Sequence, residues 1–397
     1  MNEAKDSMAG SGAPLSESQR RQGMFLVGLA VASVGFALAL QIGVNDNFVV
    51  EELKVTPMQK GGLEAARESC GIVALGVLAV LAGLGEPLVG AAVLVVFGAG
   101  LASYCFVPSY GWLIAMSLVW SQGLHVWMPL PDSMTLSLAE PGRAGFRLGQ
   151  IRAAGSAGLG AGLAVALLLT LLGVRIRPLF VLAGAVVLVG VAACLRIPRN
   201  IKTPGPRLVF RRRYGLYYLL CFLDGLRRQT FLCFAGYLLV REHKASVQTI
   251  LLLNTIVQGI GYFAAPRVGR LIDRVGERRV LVAYFACVSA VFLGYAFIRQ
   301  RYVLFALFVA DSAFSVLATA IVTFVGRLAP PSEHTPTLSM GVAMNHVAAV
   351  AMPLLGGIIW ARSGYQWVFL AGVLAAAASA GVALLVPPKR LDSTGSV

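Results

Sequence analysis

Charge is scarce in this chain. Asp, Glu, Lys and Arg make up 13% of its 397 residues against 57% apolar residues, and a soluble protein of this length could not hide that much apolar surface. Acids are the rarer sign, 18 against 33 bases, for a formal net charge of +15. In a soluble protein that excess would suggest nucleic acid. Here the bases sit in short segments between apolar runs, where they set topology, so nucleic acid is not an expected partner. Cys70, Cys105, Cys194, Cys221, Cys233 and Cys287 lie within or at the ends of apolar runs with no CxxC spacing, which marks them as small core residues. There is no GxxxxGK[ST] phosphate loop, no HExxH, no other Cys/His ligand spacing and no Ser with a paired His. ATP hydrolysis, metal or cofactor chemistry and enzyme activity are therefore not expected. The polar start, residues 1–22, precedes an apolar run longer than a signal-peptide core of about 7–15 residues, so cleavage is not expected either.

What is present is a succession of apolar runs. A helix needs about 20 such residues to cross a hydrocarbon core of about 30 Å. Twelve candidates stand at roughly 24–49, 58–83, 87–107, 110–131, 148–172, 177–197, 214–240, 246–266, 279–298, 302–326, 337–360 and 365–387. The expected fold is an all-α membrane protein of two six-helix bundles, 23–197 and 214–388, joined by a basic linker, 198–213, with tails at 1–22 and 389–397. Alternate loops carry about 20 bases on the side of the N-terminus and about 9 on the other, which predicts an inner or plasma membrane protein with both ends cytoplasmic. The run Arg196 to Arg213 contributes most, through orientation and attraction to lipid headgroups.

A few charges fall inside the spans, where each costs roughly 2.5–3.5 kcal/mol, and such groups usually face a bundle interior or a watery pathway. In span seven Asp224 precedes Arg227 and Arg228 by three and four residues, so one pair satisfies a single arginine and leaves a base over. In span two Glu64, Arg67 and Glu68 repeat that spacing, and Arg67 can satisfy only one of the two acids. Asp311 in span ten is followed by Ser312, Ser315, Thr319 and Thr323 at about one-turn intervals. Asp311, Glu68, Asp224 and Glu64 are the candidate proton-coupling groups, because desolvation favours the protonated form of a carboxyl. An ion pair from Asp311 to Arg228 or Arg67 is the alternative role for that acid. Arg67, Arg227 and Arg228 are the candidate substrate-binding bases, with Gln122, His125, Asn254, Gln258 and Asn345 as further polar candidates; such lone groups also serve as interhelical hydrogen bonders. Arg152 is expected to snorkel, Trp112, Trp360 and Trp367 to anchor at the interface, and Asn45-Asp46-Asn47 to form either a vestibule or a solvated helix end.

Between spans eight and nine runs Gly269-Arg270-Leu271-Ile272-Asp273-Arg274-Val275-Gly276-Glu277-Arg278-Arg279. This resembles the cytoplasmic loop signature G-x-L-x-D-R-x-G-x-R-[RK] of the major facilitator superfamily. The resemblance implies twelve spans in two bundles and a secondary transporter working by alternating access. Gly269, Asp273, Arg274, Gly276, Arg278 and Arg279 would form its gating loop. Gly269 is expected to allow close helix approach, Gly276 a tight turn, and Asp273 to pair with the start of span eleven at Thr335-Pro336. The corresponding loop of the first half, Gly83-Leu84-Gly85-Glu86-Pro87, departs from the signature, lacking its Asp-Arg core. The expected partners are a small-molecule solute, protons and membrane lipids, with a small organic anion or zwitterion as cargo. An exporter of amphiphilic or cationic compounds and a nontransporting membrane sensor or assembly factor are the alternatives.

Overall fold

A computed structural model of the chain describes residues 16–81, 83–140, 143–198 and 210–388; most of the basic linker and both tails lie outside the described residues. Twelve helical segments follow one another: α1 (Glu17–Asn47), α2 (Pro57–Val80), α3 (Glu86–Ser103), α4 (Tyr110–Leu138), α5 (Ala144–Leu171), α6 (Ile176–Arg196), α7 (Gly215–Arg241), α8 (Val247–Val275), α9 (Glu277–Phe297), α10 (Arg301–Leu328), α11 (Pro331–Ser363) and α12 (Tyr365–Ala383). No strand occurs among the described residues. The local signals for helix initiation are explicit. Ser16 and Thr56 each accept a hydrogen bond from the backbone N–H of the glutamine three residues on, Gln19 and Gln59, whose side chains reciprocate, and Pro57 opens α2 where its missing N–H costs nothing.

Each expected span coincides with a helix, but several helices overrun their apolar runs. α1 begins at Glu17, α8 continues to Val275 and α11 begins at Pro331. Hydropathy reports where the hydrocarbon ends, whereas a helix continues into water as long as its backbone bonds are satisfied. This displaces the expected start of span eleven, because Thr335-Pro336 lies inside α11 and the chain turns at Pro330 instead. Among the described residues, nine segments cross a membrane by length and apolarity alone. The three that fall short are α2 and α7, which hold the buried Lys60 and Arg227, and α8, which runs into the basic loop.

The first six helices form one bundle and the last six the other. α1 packs along α5 and α6, and α3 along α4 and α6; in the second half α7 packs on α11 and α12, and α9 on α10 and α12. Close approach of α1 and α5 depends on glycine: a methyl on Gly158 would fall on the Ala32 carbonyl and one on Gly162 on the Phe36 carbonyl. Gly269, by contrast, faces open space and brings no helix close. Gly276 sits at φ 81°, ψ 157°, a conformation that favours glycine, and this turns the chain from α8 into α9. Large apolar side chains remain exposed on the outside, Phe25, Val80, Leu171 and Leu374 among them, as lipid requires.

Among the described residues, packing between the bundles gathers on the side away from the termini. One apolar cluster runs through the whole first bundle and into the half of the second that lies away from the termini, while Tyr214, Tyr217, Leu281, Tyr284, Ile321 and Phe324 belong to a separate cluster on the terminus side. Polar links between bundles follow the same division. Asn47 donates to the Ala245 carbonyl at 3.0 Å, Tyr237 and Arg241 donate to the Val55 carbonyl at 2.7 and 3.1 Å, and Gln248 donates to the Thr170 carbonyl at 3.2 Å. α2 and α11 lie backbone to backbone where Gly61 meets Pro353 and Gly357.

Candidate functional site

Below that seal, charged residues form a continuous chain. Lys60, only 2% exposed, places Nζ 2.9 Å from Asp46 Oδ1 and 2.8 Å from Glu64 Oε1. Glu64 also accepts from Arg67 Nη1 at 3.0 Å, and the Arg67 guanidinium lies 4.3 Å from the centre of the Trp120 ring. Arg67 thus takes Glu64, leaving Glu68 on the next turn facing His346 Nδ1 of α11 at 3.4 Å. His125 of α4 donates from Nδ1 to the Ser121 carbonyl, 2.8 Å away, and its ring centre is 5.3 Å from that of His346. Hence Glu64, Arg67, Glu68 and His125 come together. Lys60 and Asp46 join them, and Lys60 was not among the expected site residues. The signal was there: Lys60, Glu64 and Arg67 are spaced i, i+4, i+7 on one helical face. The Asn45-Asp46-Asn47 segment is no solvated end, since Asn45 and Asn47 are buried.

A second constellation is sealed within the other bundle. Arg227, 1% exposed, reaches Asp311 Oδ1 and Oδ2 at 3.3 and 3.4 Å and Asp224 Oδ1 at 3.4 Å, and donates to the Tyr284 hydroxyl, which itself donates to Asp224 at 2.8 Å. Ser315 donates to Asp311 Oδ2 at 3.4 Å. Asp311 is therefore the counter-ion of Arg227, not of Arg228 or Arg67. Consecutive residues on a helix point about 100° apart, so Arg228 turns out of this cluster; it is exposed and has no ion pair among the described residues. The three arginines do not converge: each has its own surroundings.

The remaining candidates are scattered. Asn254 donates to the Ile250 carbonyl of its own helix, and Asn345 packs against Gly225. Gln122 holds a buried amide nitrogen without a hydrogen-bond partner among the described residues. Gln258 lines a groove of about 470 Å³ shared by α1, α4, α5 and α8, together with Asp132 and Arg152, whose charges are 3.8 Å apart. Trp112 and Trp367 are exposed as interface anchors are, but Trp360 is buried against Phe234, Tyr237 and Tyr365. In the basic loop, Asp273, Arg274 and Arg279 are exposed and Arg278 is half-buried. Glu277 is buried 3.3 Å from Arg327, and Glu333 near the start of α11 pairs with Arg213 and accepts from Tyr214 at 2.6 Å. These two pairs within the second bundle are not legible in the sequence, since their members are far apart along the chain.

Two bundles of membrane-length helices packed around buried charge define a multi-pass membrane protein. Residues 217–396 match the family model of the Major Facilitator Superfamily. A crystal structure of the nucleoside transporter NupG superposes with a TM-score of 0.73 at 16% identity, over 92% of this chain and 98% of that one. A bacterial homolog of the human lysosomal transporter Spinster, in an inward-facing and unoccupied conformation, gives 0.74 at 13% identity over 94% and 98%. No curated protein matches the chain by sequence. The family match lies in the second half of the chain, and the fold of the whole is that of these solved transporters.

Proposed function

We propose that the protein is a proton-coupled secondary transporter that moves a small organic anion or zwitterion by rocking its bundles about the space between them, with both termini in the cytoplasm and the open side inward. The observation that carries this reading is Arg228. It is an exposed guanidinium halfway along α7 with no acid paired to it among the described residues, beside a cluster that consumes its neighbour. Lipid is a poor surrounding for such a group, which is stable in a watery cavity where it attracts a negative charge. Coupling is assigned to the Asp224–Arg227–Asp311 cluster. One guanidinium balances one carboxylate, so two acids and one base are electrically neutral only with a proton aboard. Asp224, the more accessible acid, is the route by which that proton reaches water.

The test begins with a thermal-shift screen of purified protein against organic acids, amino acids and drugs, since a ligand of the folded state raises its stability. The stabilising compound is then followed into proteoliposomes carrying an internal pH dye. Arg228→Glu should abolish uptake and the ligand shift while leaving the protein in the membrane, and Asp311→Asn should uncouple uptake from the pH gradient. Normal flux through Arg228→Glu removes the anion site. A ligand set restricted to cationic amphiphiles would point to a drug exporter instead.

A further inference from the structure

Glu68 of α2, His125 of α4 and His346 of α11 converge at the floor of the open side, just under the seal. One ligand atom from each lies within 4.8 Å of those from the other two, and all three residues are half-buried, so the cluster is not closed off on every side. The imidazoles are prepared for coordination. His125 Nδ1 is engaged by the Ser121 carbonyl at 2.8 Å, so that nitrogen carries the proton and Nε2 keeps its lone pair, the arrangement by which a backbone carbonyl orients a metal-binding histidine. His346 Nδ1 is a buried nitrogen with no hydrogen-bond partner among the described residues, 3.4 Å from Glu68 Oε2. Room for its ring is made by Gly71, where a methyl group would stand 2.6 Å from that nitrogen. Arg67 does not compete for Glu68, because it is held by Glu64 and Trp120.

We propose that Glu68, His125 and His346 bind a divalent transition-metal ion of the zinc class, and that the bound ion clamps the two bundles together. Two imidazole nitrogens and one carboxylate oxygen suit such an ion, with the fourth tetrahedral position open to water or a ligand. Two ligands belong to the first bundle and one to the second, so opening the sealed side would pull His346 away from Glu68 and His125. An occupied site therefore favours the arrangement described here, and the metal stabilises one arm of the transport cycle. The three ligands come from helices remote in sequence, which explains why no ligand spacing is visible in the chain.

The experiment uses the full chain in detergent, stripped of metal and titrated with Zn²⁺ by calorimetry, with Co²⁺ absorption reporting tetrahedral nitrogen and oxygen ligation. One ion per chain is expected. Glu68→Gln and His346→Gln, which keep side-chain size, and His125→Ala should each weaken binding at least about tenfold. Gly71→Ala should weaken it comparably by displacing His346 without removing a ligand. Thermal unfolding of each variant establishes that it is folded before binding is compared. In a background lacking the native cysteines, Zn²⁺ should slow alkylation of Val55→Cys in the seal, and should have no effect when His346→Gln is added. Absence of Zn²⁺ binding by the unsubstituted protein, or equal binding by the folded variants, overturns the site. Binding without protection of Val55→Cys overturns the clamp.

Discussion

Buried charge makes single residues in this protein unusually consequential. Arg227→Ala would leave Asp224 and Asp311 facing each other with no base, and breaking a buried pair from one side costs roughly 3–5 kcal/mol. The variant should lose most of its folded yield and unfold at a markedly lower temperature in detergent. Asp311→Asn retains the Arg227–Asp224 pair and should unfold close to the unsubstituted protein; similar losses in both would show that the cluster is not held together by charge balance. Outside the bilayer, Glu140 shows the opposite regime. Hydrogen bonds from Arg147 hold its carboxyl down from an ordinary 4.5 to about 2. A depressed carboxyl stabilises the fold above its unfolded value and loses that contribution as pH falls through its folded one. The stability gap between the unsubstituted protein and Glu140→Gln should therefore be constant above about pH 4.5 and close towards pH 2. The pair is half-buried at the end of the bundle and open to solvent screening, so the gap is small; a gap that widens on acidification would contradict the assignment.

At the scale of elements, the contact between α2 and α11 decides which side is shut. Gly61 and Gly357 let the two backbones touch, each within about 3.2 Å of the other's Cα when given a methyl group. Gly61→Leu has no space in the sealed arrangement but harms neither bundle's own core, so it should shift the population toward a form open on the side away from the termini. Alkylation of Val55→Cys should then accelerate several-fold, and an unchanged rate would show that α2 and α11 do not form the gate. Much of each element is written locally. Thr56 and Pro57 carry the start of α2, and Gly276 carries the turn into α9. The overruns of α8 and α11 were not legible, because apolar length measures oil and not helix.

For the whole molecule, the rocking proposed above demands that the seal break. Joining Asn47→Cys to Ala245→Cys, whose parent groups are hydrogen-bonded across the bundles at 3.0 Å, should arrest transport on oxidation and restore it on reduction. Continued flux in the cross-linked protein would mean that the bundles do not separate there, and with it would go the rocking mechanism.

Composition, the spacing of apolar runs and the loop from Gly269 to Arg279 were enough to determine the solvent, the number of spans and the class of fold. Each is a local property: a helix in lipid satisfies its own backbone, so its existence depends only on its own residues. Local spacing also foretold that Arg67 could neutralise just one glutamate and that one arginine of the Arg227-Arg228 pair would be left over. The partners themselves were decided by tertiary packing. Lys60 between Asp46 and Glu64, Asp311 on Arg227, and Glu68 with His125 and His346 each join helices whose rotation and depth are fixed by side chains from the rest of the bundle. A charge buried in oil must find a counterpart, but the sequence names several within reach, and only the packed bundles select one.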